Sequence, residues 1–383
     1  MSTTIRKPEA RAGLMDIVPY QAGKAPEPKD GRPVYKLSSN ESGLGASPAA
    51  TAAFREASAS LEVYPDGASS SLKAAIARTH DLPEANVWVG AGSDEVISGL
   101  ARGYAGEDTS IVQTRHGFSY YWLAARAAGA EPLYAPERDL HADVDAILAT
   151  VREDTRVVYL ANPNNPTGTV IPPSKVRRLR EELPEGVILA IDGAYAEYMV
   201  GETVQGEAYT DGSELVAEAI ADGRDDTVMM RTFSKIYGLG GLRVGWCYAP
   251  ESVIGVLDRV RSPFNVNAPA LAAAEAALGD QAFVERNREH NRQERARVAQ
   301  RVGGLGLRVV PSAANFLLLE MPGADDAEKE ATADAFFAHL ADEGIMVRAQ
   351  KGAWLPTFLR VSIGSTEAND AFLAAAEDFF ADR

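Results

Sequence analysis

Lys235 lies in a segment whose composition suits covalent chemistry on a small phosphorylated molecule. The segment RTFSKIYGLGGLRVG, residues 231–245, places this lysine after small hydroxyl side chains and before a glycine-rich turn. Arg243 follows in the same segment. A lysine amine condenses with aldehydes, and an arginine beside hydroxyls binds phosphate. The aldehyde that this combination indicates is pyridoxal phosphate, PLP.

A PLP site also needs an acid at the pyridine nitrogen and a donor to the ring oxygen O3′. Asp192 ends the apolar run VILAID and is predicted to keep the ring nitrogen protonated, which makes the ring an electron sink. An N-cap aspartate is an equally good interpretation of this residue. Tyr195 is predicted to point its hydroxyl at O3′. Asn165, in the turn ANPNNPTG, is predicted to donate to the same oxygen, although a tight loop also explains the turn.

The phosphate cup is predicted to combine a helix start with hydroxyls and an arginine. WVGAGSDEVI, residues 88–97, has the pattern of a strand, a glycine turn and a helix, and such a helix start offers free N–H groups. A dinucleotide-binding fingerprint is a weak alternative because the third glycine is absent. The predicted phosphate ligands are Ser93, Asp94, Thr232, Ser234 and Arg243.

An aromatic side chain should cover the ring. The segment IVQTRHGFSYY, residues 111–121, offers Phe118, Tyr120 and Tyr121 after an apolar run. By position, Phe118 is the predicted stacking residue. Packing in the core is the alternative for all three side chains.

The elements that must position these residues are short apolar runs that alternate with helical stretches from about residue 50 to about residue 260. Continuous apolar runs of this kind are typical of a parallel sheet covered on both faces. The fold class is therefore predicted as α/β, with a mostly parallel seven-stranded sheet, helices on both faces and room for one antiparallel strand. The runs are VWVG (87–90), SIVQ (110–113), EPLYA (131–135), RVVYLA (156–161), VILAID (187–192), TVMMR (227–231) and VGWCYA (244–249).

The pattern changes after about residue 270, where a long charged helix precedes short strands and helices. This region is predicted as a smaller α+β domain, residues 270–383. Residues 36–269 form the predicted large domain, whose first residues can also join the small one, and residues 1–35 form an N-terminal arm. The last helix carries an apolar stripe and is predicted to face the core. The stripe consists of Phe372, Leu373, Ala376, Phe379 and Phe380.

The composition of the chain limits the classes of partner that it is expected to bind. The formal net charge of −16 argues against nucleic acid and anionic membranes as partners. No apolar run is long enough for a bilayer span or a secretion signal, so a cytoplasmic location is expected. The single cysteine, Cys247, excludes an intramolecular disulfide, and the five scattered histidines do not indicate a metal site. Small-molecule substrates are the expected partners.

The order of these motifs resembles that of class I/II (fold type I) PLP-dependent aminotransferases, and within them the histidinol-phosphate aminotransferase family. The similarity extends from PYQAGK near residue 19 to LRVSIGSTEAN near residue 369. NPNNPTG and TFSKIYGLGGLRVG are specific to the superfamily. The segments that point to the narrower family are KLSSNESGLGASP, RVRSPFNVN (259–267), PSAANFLL (311–318) and GIMVR (344–348).

The resemblance implies roles for further residues. Arg360 in FLRVSIG is implied to bind the acidic end of the substrate, and Arg348 the phosphate of histidinol phosphate. Tyr20 and Asn40 complete the implied substrate-binding set. Tyr64 in EVYPDG is implied to reach the phosphate cup of a neighbouring subunit, which requires a homodimer with shared active sites. A turn-anchoring aromatic is the alternative for Tyr64.

The implied activity is amino transfer from histidinol phosphate to 2-oxoglutarate in histidine biosynthesis. An aromatic amino-acid aminotransferase of the same family, a PLP-dependent decarboxylase and a PLP-sensing regulator are the alternatives. The family's P-T-Y/F appears here as His116-Gly117-Phe118, and its D-E-A-Y as Asp192-Gly193-Ala194-Tyr195. The first departure lies beside the predicted ring position and therefore bears on the choice of substrate.

Overall fold

The computed structural model describes residues 9–11, 13–17 and 33–381. Its strands, in chain order, are β1 (Tyr35–Lys36), β2 (Val87–Gly90), β3 (Ser110–Thr114), β4 (Glu131–Ala135), β5 (Thr155–Ala161), β6 (Ile188–Asp192), β7 (Thr203–Val204), β8 (Glu207–Ala208), β9 (Thr227–Thr232), β10 (Gly245–Tyr248), β11 (Arg308–Val310), β12 (Phe316–Glu320), β13 (Ile345–Met346), β14 (Arg348–Gln350) and β15 (Leu355–Ser362). Its α-helices are α1 (Pro48–Ala57), α2 (Ser70–His80), α3 (Ser93–Tyr104), α4 (Tyr120–Ala128), α5 (Val144–Thr150), α6 (Pro173–Glu182), α7 (Ser213–Ala221), α8 (Glu251–Val260), α9 (Ala268–Gly279), α10 (Gln281–Gly303), α11 (Asp326–Asp342) and α12 (Thr366–Phe380).

The large sheet has seven strands in the order β2-β10-β9-β6-β5-β3-β4. Neighbouring strands are parallel except at β10, which is antiparallel to β2 and to β9. The seven strands coincide with the seven apolar runs of the sequence, and β10 is the antiparallel strand for which the prediction left room.

Both faces of this sheet are buried, which explains why its strands are continuously apolar. In β5, Val157 and Tyr159 pack in one cluster with α3, α4 and α8. Val158 and Leu160 point the opposite way and pack with α5, α6 and α7. Because side chains alternate along a strand, helices on both faces require an apolar residue at every position.

The C-terminal region forms a second sheet of four antiparallel strands in the order β11-β12-β15-β14. Helices α11 and α12 and the end of α10 pack on it in a separate apolar cluster. The N-terminal strand β1 pairs with β13 in parallel, so the first residues of the predicted large domain lie beside this region. The apolar stripe of α12 faces this core, as predicted: Phe372, Leu373, Ala376 and Phe380 are buried, and Phe379 packs against the cluster.

The exact domain boundaries stay a prediction. Helix α9, just after the predicted boundary, packs on α1 and α2 in the cluster that covers β2 and β10. Helix α10 then connects the two regions, with Val284 in that cluster and Val298 in the cluster of the small sheet. Within the described residues, no helix is long and apolar enough to cross a membrane.

The carboxyl ends of the parallel strands bring the chemical motifs to one edge of the large sheet. Asp192 ends β6, and in register it pairs with Ala161 at the end of β5 and with Met230 in β9. The Asn165 turn follows β5, Lys235 follows β9, and the Ser93 helix follows β2. Loops at this edge are where open α/β sheets bind ligands.

Candidate active site

Lys235 is partly buried in the turn after β9, and its amine lies 5.7 Å from the centre of the Tyr195 ring. Burial and the positive charge of Arg360 lower the pKa of Lys235 to about 8, while Asp94 and Asp192 partly oppose this shift. The turn therefore holds an amine that loses its proton far more easily than a surface lysine does.

Asp192 is buried and accepts two hydrogen bonds. The Tyr121 hydroxyl donates to Oδ2 at 2.7 Å, and the Ala194 N–H donates to Oδ1 at 3.0 Å. Burial raises the pKa of Asp192 to about 6, and both hydrogen bonds oppose the rise. The bond to Ala194 is a local turn contact, and Asp192 is not a helix N-cap, because the short helix that follows begins at Ala196 with Tyr195 at its N-cap position.

Tyr121 is the site residue whose role the sequence did not indicate. Its ring is stacked on Tyr159 with 4.7 Å between ring centres, and Phe118 packs edge-on against it at 5.6 Å. Burial, with Asp192 adjacent, raises the pKa of Tyr121 well above its usual value, so the hydroxyl stays protonated and donates. Tyr121 was a candidate ring cover in the sequence, whereas in the structure its hydroxyl supports the acid.

Tyr195 is buried next to Lys235. Its hydroxyl accepts a hydrogen bond from the Asn40 side chain at 2.8 Å. Burial raises the pKa of Tyr195 to about 12, although Arg360 and Asn40 work against the shift. Asn40 is itself held by Ser362, whose hydroxyl accepts from the Asn40 backbone N–H at 2.8 Å. Predicted as a substrate ligand, Asn40 contacts Tyr195 in this structure.

Arg360, on β15, crosses from the small sheet to the large one. It donates to Asn165 Oδ1 at 2.5 Å and to the Ser38 carbonyl at 2.8 Å. Arg348 on β14 pairs directly with Arg360 in the antiparallel register, so both side chains leave the same face of the small sheet. The structure therefore brings Asn165, Arg360 and Arg348 together.

The predicted phosphate ligands form one cluster around Arg243. Its guanidinium donates to Ser234 Oγ at 3.1 Å and to Asp94 Oδ2 at 2.9 Å. Thr232 donates through its hydroxyl to Ser234 at 3.0 Å. Ser93 begins α3 beside them. Gly92, just before Ser93, has a φ of +83°, which strains any other residue, and a Cβ there would also crowd the Arg243 guanidinium at 2.7 Å.

Two predicted residues lie elsewhere. Tyr64 is 79% exposed and stacks on Phe264 at 4.8 Å, on the surface of the chain. Tyr20 lies outside the described residues. Phe118 lies beside Tyr121 at the carboxyl edge of the sheet, partly packed against the core.

A buried ion cluster supports the turn that carries Asp192 and Tyr195. Arg231 in β9 lies 2.9 Å from Asp211 and 3.2 Å from Glu197, which follows Tyr195 in the chain. All three side chains are largely buried. Although burial favours the neutral acid, Arg231 lowers the pKa of Asp211. The cluster ties the turn after β6 to the strand that leads to Lys235.

These residues fit PLP. An amine with a lowered pKa lies near the Tyr195 ring, the buried Asp192 and Arg360, and Arg360 in turn contacts the Asn165 amide. The glycine-lined cluster at the start of α3 has the arginine, hydroxyls and free N–H groups that a phosphate requires. Within the described residues, no group of three or more His, Cys, Asp or Glu side chains is arranged to hold a metal ion.

Comparisons with known proteins agree with this site. A family model for aminotransferases of class I and II matches residues 32–376. The histidinol-phosphate aminotransferase of Rhodospirillum rubrum is 47% identical over 374 residues, which cover 98% of this chain and 97% of the relative. That of Rhodopseudomonas palustris is 44% identical over 375 residues, with 98% and 99% coverage. The chain belongs to the class I and II aminotransferase family.

Solved structures show the same fold. The histidinol-phosphate aminotransferase of Sinorhizobium meliloti, solved in complex with pyridoxal-5′-phosphate, matches with a TM-score of 0.87 at 28% identity and covers 99% of both chains. Aspartate aminotransferase from Thermus thermophilus, at 21% identity, shares the fold with a TM-score of 0.77 and 92% coverage of both chains. The predicted family and fold class are confirmed.

Proposed function

We propose that this chain is a PLP-dependent histidinol-phosphate aminotransferase with 2-oxoglutarate as the amino acceptor. The observation that carries the proposal is the convergence of Lys235 and Asp192 with Arg360 at one sheet edge. Relatives named for this activity, 44–47% identical over nearly the whole chain, support the choice of substrate.

Lys235 and Asp192 divide the proton chemistry. When bound, PLP supplies an electron-poor ring that accepts the electron pair of the donor's Cα–H bond. The Lys235 amine, with a pKa of about 8, takes the Cα proton as a base and returns it as an acid. With PLP bound, an ionised Asp192 would hold a proton on the ring nitrogen, and the hydrogen bond from Tyr121 favours the ionised form of this carboxylate.

Tyr195 and Asn165 would hold the ring through O3′, and Phe118 would cover one face of it. Ser93, Asp94, Thr232, Ser234 and Arg243 form the phosphate cup. Asp94 accepts a hydrogen bond from Arg243 at 2.9 Å. The N–H groups at the start of α3 and the hydroxyl groups would donate to the phosphate oxygens.

Arg348 and Arg360 serve two substrates in turn. Two adjacent guanidiniums can grip either the phosphate of histidinol phosphate or a carboxylate of glutamate, because each presents paired donors to an oxyanion. Asn165 fixes Arg360 before the substrate arrives, which lowers the entropic cost of binding. Tyr20 and Asn40 belong to the same proposed substrate site.

The proposal includes a homodimer in the cytoplasm, in which Tyr64 reaches the partner's phosphate cup. The exposure of Tyr64, far above that of most large apolar side chains, supports this part. The proposed division into an arm (1–35), a large domain (36–269) and a small domain (270–383) places the substrate between the two sheets.

A half-reaction screen tests the proposal. The PLP-loaded protein is mixed with histidinol phosphate, phenylalanine or tyrosine, and the loss of the visible absorption of the bound cofactor is followed. We expect histidinol phosphate to give a kcat/KM at least about tenfold above the aromatic amino acids, since it alone offers a phosphate to both arginines. Lys235→Ala is the control and should show no turnover. A preference for phenylalanine would favour the aromatic aminotransferase instead.

A further inference from the structure

His116 and Glu137 form a hydrogen-bonded pair at the turn that carries Phe118. The imidazole Nδ1 lies 2.5 Å from Glu137 Oε2, and the His116 backbone N–H donates to Oε1 at 3.2 Å. The Glu137 side chain is only 2% exposed. A carboxylate buried this deeply needs partners, and both of these contacts come from His116.

A second contact joins the same turn to the loop that carries Asn165. The Asn164 side-chain amide donates to the His116 carbonyl at 3.2 Å and to Thr167 Oγ1 at 2.9 Å. Asn164 is held in its own loop because its N–H donates to the Thr169 carbonyl and its carbonyl accepts from Gly168. His116 therefore connects the segment before Phe118 with the residue that precedes Asn165.

Two backbone hydrogen bonds also order this turn, from the Gly117 N–H to the Thr114 carbonyl at 3.0 Å and from the Tyr121 N–H to the Phe118 carbonyl at 3.0 Å. Gly117 separates His116 from Phe118, and a Cβ there would lie 3.0 Å from the Thr114 carbonyl oxygen, which explains the glycine. A glycine loses more backbone entropy on ordering than any other residue. The His116–Glu137 pair fixes the residue before Gly117, while the edge contact with Tyr121 fixes Phe118 after it.

We propose that His116 and Glu137 are positioning residues of the PLP site. They hold the Phe118 turn against the Asn165 loop, so that the side chain covering the ring and the donor to O3′ keep one relative geometry. This inference rests on the proposed function. Neither residue touches the reacting atoms, so neither is a catalytic residue.

The surroundings of His116 make it a suitable position for substitution. Its imidazole lines a cavity of about 670 Å³ that Trp354 and Thr357 also line. Shortening the side chain enlarges this cavity. In His116→Asn, the amide nitrogen occupies the place of Nδ1 and can still donate to Glu137.

The test compares His116→Ala, His116→Asn and Glu137→Gln with the wild-type chain, and His339→Ala on α11 is the matched control. The dissociation constant of PLP, the visible circular dichroism of the bound cofactor, kcat and KM are measured, together with Tm. We expect His116→Ala to weaken PLP binding and to lower kcat by about tenfold each, to change the dichroism, and to alter the donor KM by less than about twofold. His116→Asn should recover most of the loss, and Glu137→Gln should show a smaller loss of the same kind. His339→Ala, which loses a hydrogen bond to the Ala375 carbonyl, should keep the wild-type PLP binding, dichroism and kcat.

A wild-type dissociation constant and dichroism in His116→Ala would overturn the positioning role and leave the proposed function intact. Equal losses in His116→Ala and His116→Asn that only follow Tm would also overturn it, because they indicate a purely structural pair. If His116→Ala fails to fold, Glu137→Gln decides by the same readouts. A wild-type protein that does not bind PLP would contradict both the proposed function and this inference.

Discussion

At the scale of single residues, the reactivity of Lys235 depends on its surroundings. Burial and Arg360 lower the pKa of this amine to about 8, from a usual value of 10.5. The neutral amine is the nucleophile, so a lower pKa makes it available closer to physiological pH. Arg360, which we propose binds substrate, therefore also prepares the amine.

This dependence predicts how the apoprotein captures PLP. The capture rate should rise as the pH increases through about 8, because the protonated amine that predominates below this value cannot attack the aldehyde. Arg360→Met removes a positive charge that favours the neutral amine, so its midpoint should move to higher pH. The rate at which the visible absorption appears is measured at about pH 6 to 10. Its dependence on pH gives the midpoints of the wild type and of Arg360→Met. A wild-type midpoint above 10, as for a free lysine, would contradict the expectation.

Tyr121→Phe tests whether the Tyr121 hydroxyl stabilises the ionised form of Asp192. The variant keeps the stacking on Tyr159 but loses the hydrogen bond to Asp192, so the pKa of Asp192 should rise further and its ionised fraction fall. We expect kcat to fall by about tenfold, which corresponds to ~1.4 kcal/mol for a bond to a charged group. Tyr120→Phe removes a neighbouring hydroxyl and serves as the control. Equal kcat values in the two variants would show that the bond to Asp192 does not matter.

The sequence predicted single residues well where a local pattern surrounds them. Asp192, Asn165 and Lys235 each follow the end of an apolar run, so their meeting at one sheet edge followed from the fold class. The bonds from Tyr121 to Asp192 and from Asn40 to Tyr195 join distant parts of the chain and depend on strand order and on the path of β1. No spacing in the sequence encodes these contacts.

At the scale of elements, the pairing of β14 with β15 places Arg348 and Arg360 side by side. Two adjacent positive charges repel each other unless an anion lies between them or beside them. Arg360 is also fixed by Asn165 and by the Ser38 carbonyl. Under the proposed function, Arg360 binds the acidic end of every substrate, and Arg348 adds contacts to the phosphate of histidinol phosphate.

We expect substitutions of Arg348 and Arg360 to have different effects on KM for the two amino donors. Arg348→Gln should raise KM for histidinol phosphate by about tenfold or more and KM for glutamate much less, since a charged hydrogen bond contributes ~1.5–3 kcal/mol. Arg360→Gln should raise both. Lys351→Gln, a charge change at an exposed position just beyond β14, is the control. Steady-state kinetics measures KM for both donors in each variant. An equal rise in KM for the two donors in Arg348→Gln would contradict separate roles.

The buried cluster of Arg231, Glu197 and Asp211 predicts a stability effect. Arg231→Met leaves two buried carboxylates without their partner and should lower the free energy of unfolding by ~3–5 kcal/mol. Arg292→Met breaks an exposed pair with Glu289 and should leave the urea midpoint nearly unchanged. Urea unfolding of both variants measures the difference. Similar midpoints would contradict a supporting role for the cluster.

The strands of the large sheet were predictable because burial on both faces requires a nearly continuous apolar run in each of them. The ends of the chain were less predictable. The short strand β1 has only two residues and gains its partner from β13, far along the chain, so no local pattern marks it. The helix α9 is alanine-rich on all sides, and its packing on α1 and α2 follows from tertiary structure.

At the scale of the whole molecule, exposed apolar side chains gather around Tyr64. Leu61, Val63 and Phe264 are exposed near it in sequence or in space. If Tyr64 serves the partner's phosphate cup, an inactive subunit can still complete the site of its neighbour. This arrangement predicts complementation between two defective chains.

Mixed dimers of Lys235→Ala and Tyr64→Ala test the sharing of sites. Tyr64→Ala alone should weaken PLP binding by about tenfold, through loss of a hydrogen bond to phosphate. In the mixed dimer, one site has both Lys235 and a partner's Tyr64, so activity at limiting PLP should exceed that of either parent. Sedimentation checks that the mixed dimer forms. Mixed dimers without this gain would show that Tyr64 does not act between subunits.

The pairing of β1 with β13 has a consequence for synthesis on the ribosome. Tyr35 emerges early, but its partner Ile345 emerges only when most of the polypeptide has been translated. Arg360 emerges later still, long after the strands that carry Asp192 and Lys235. The residues proposed to bind the cofactor are therefore translated well before β14 and β15, so the proposed substrate arginines join the site only at a later stage of synthesis.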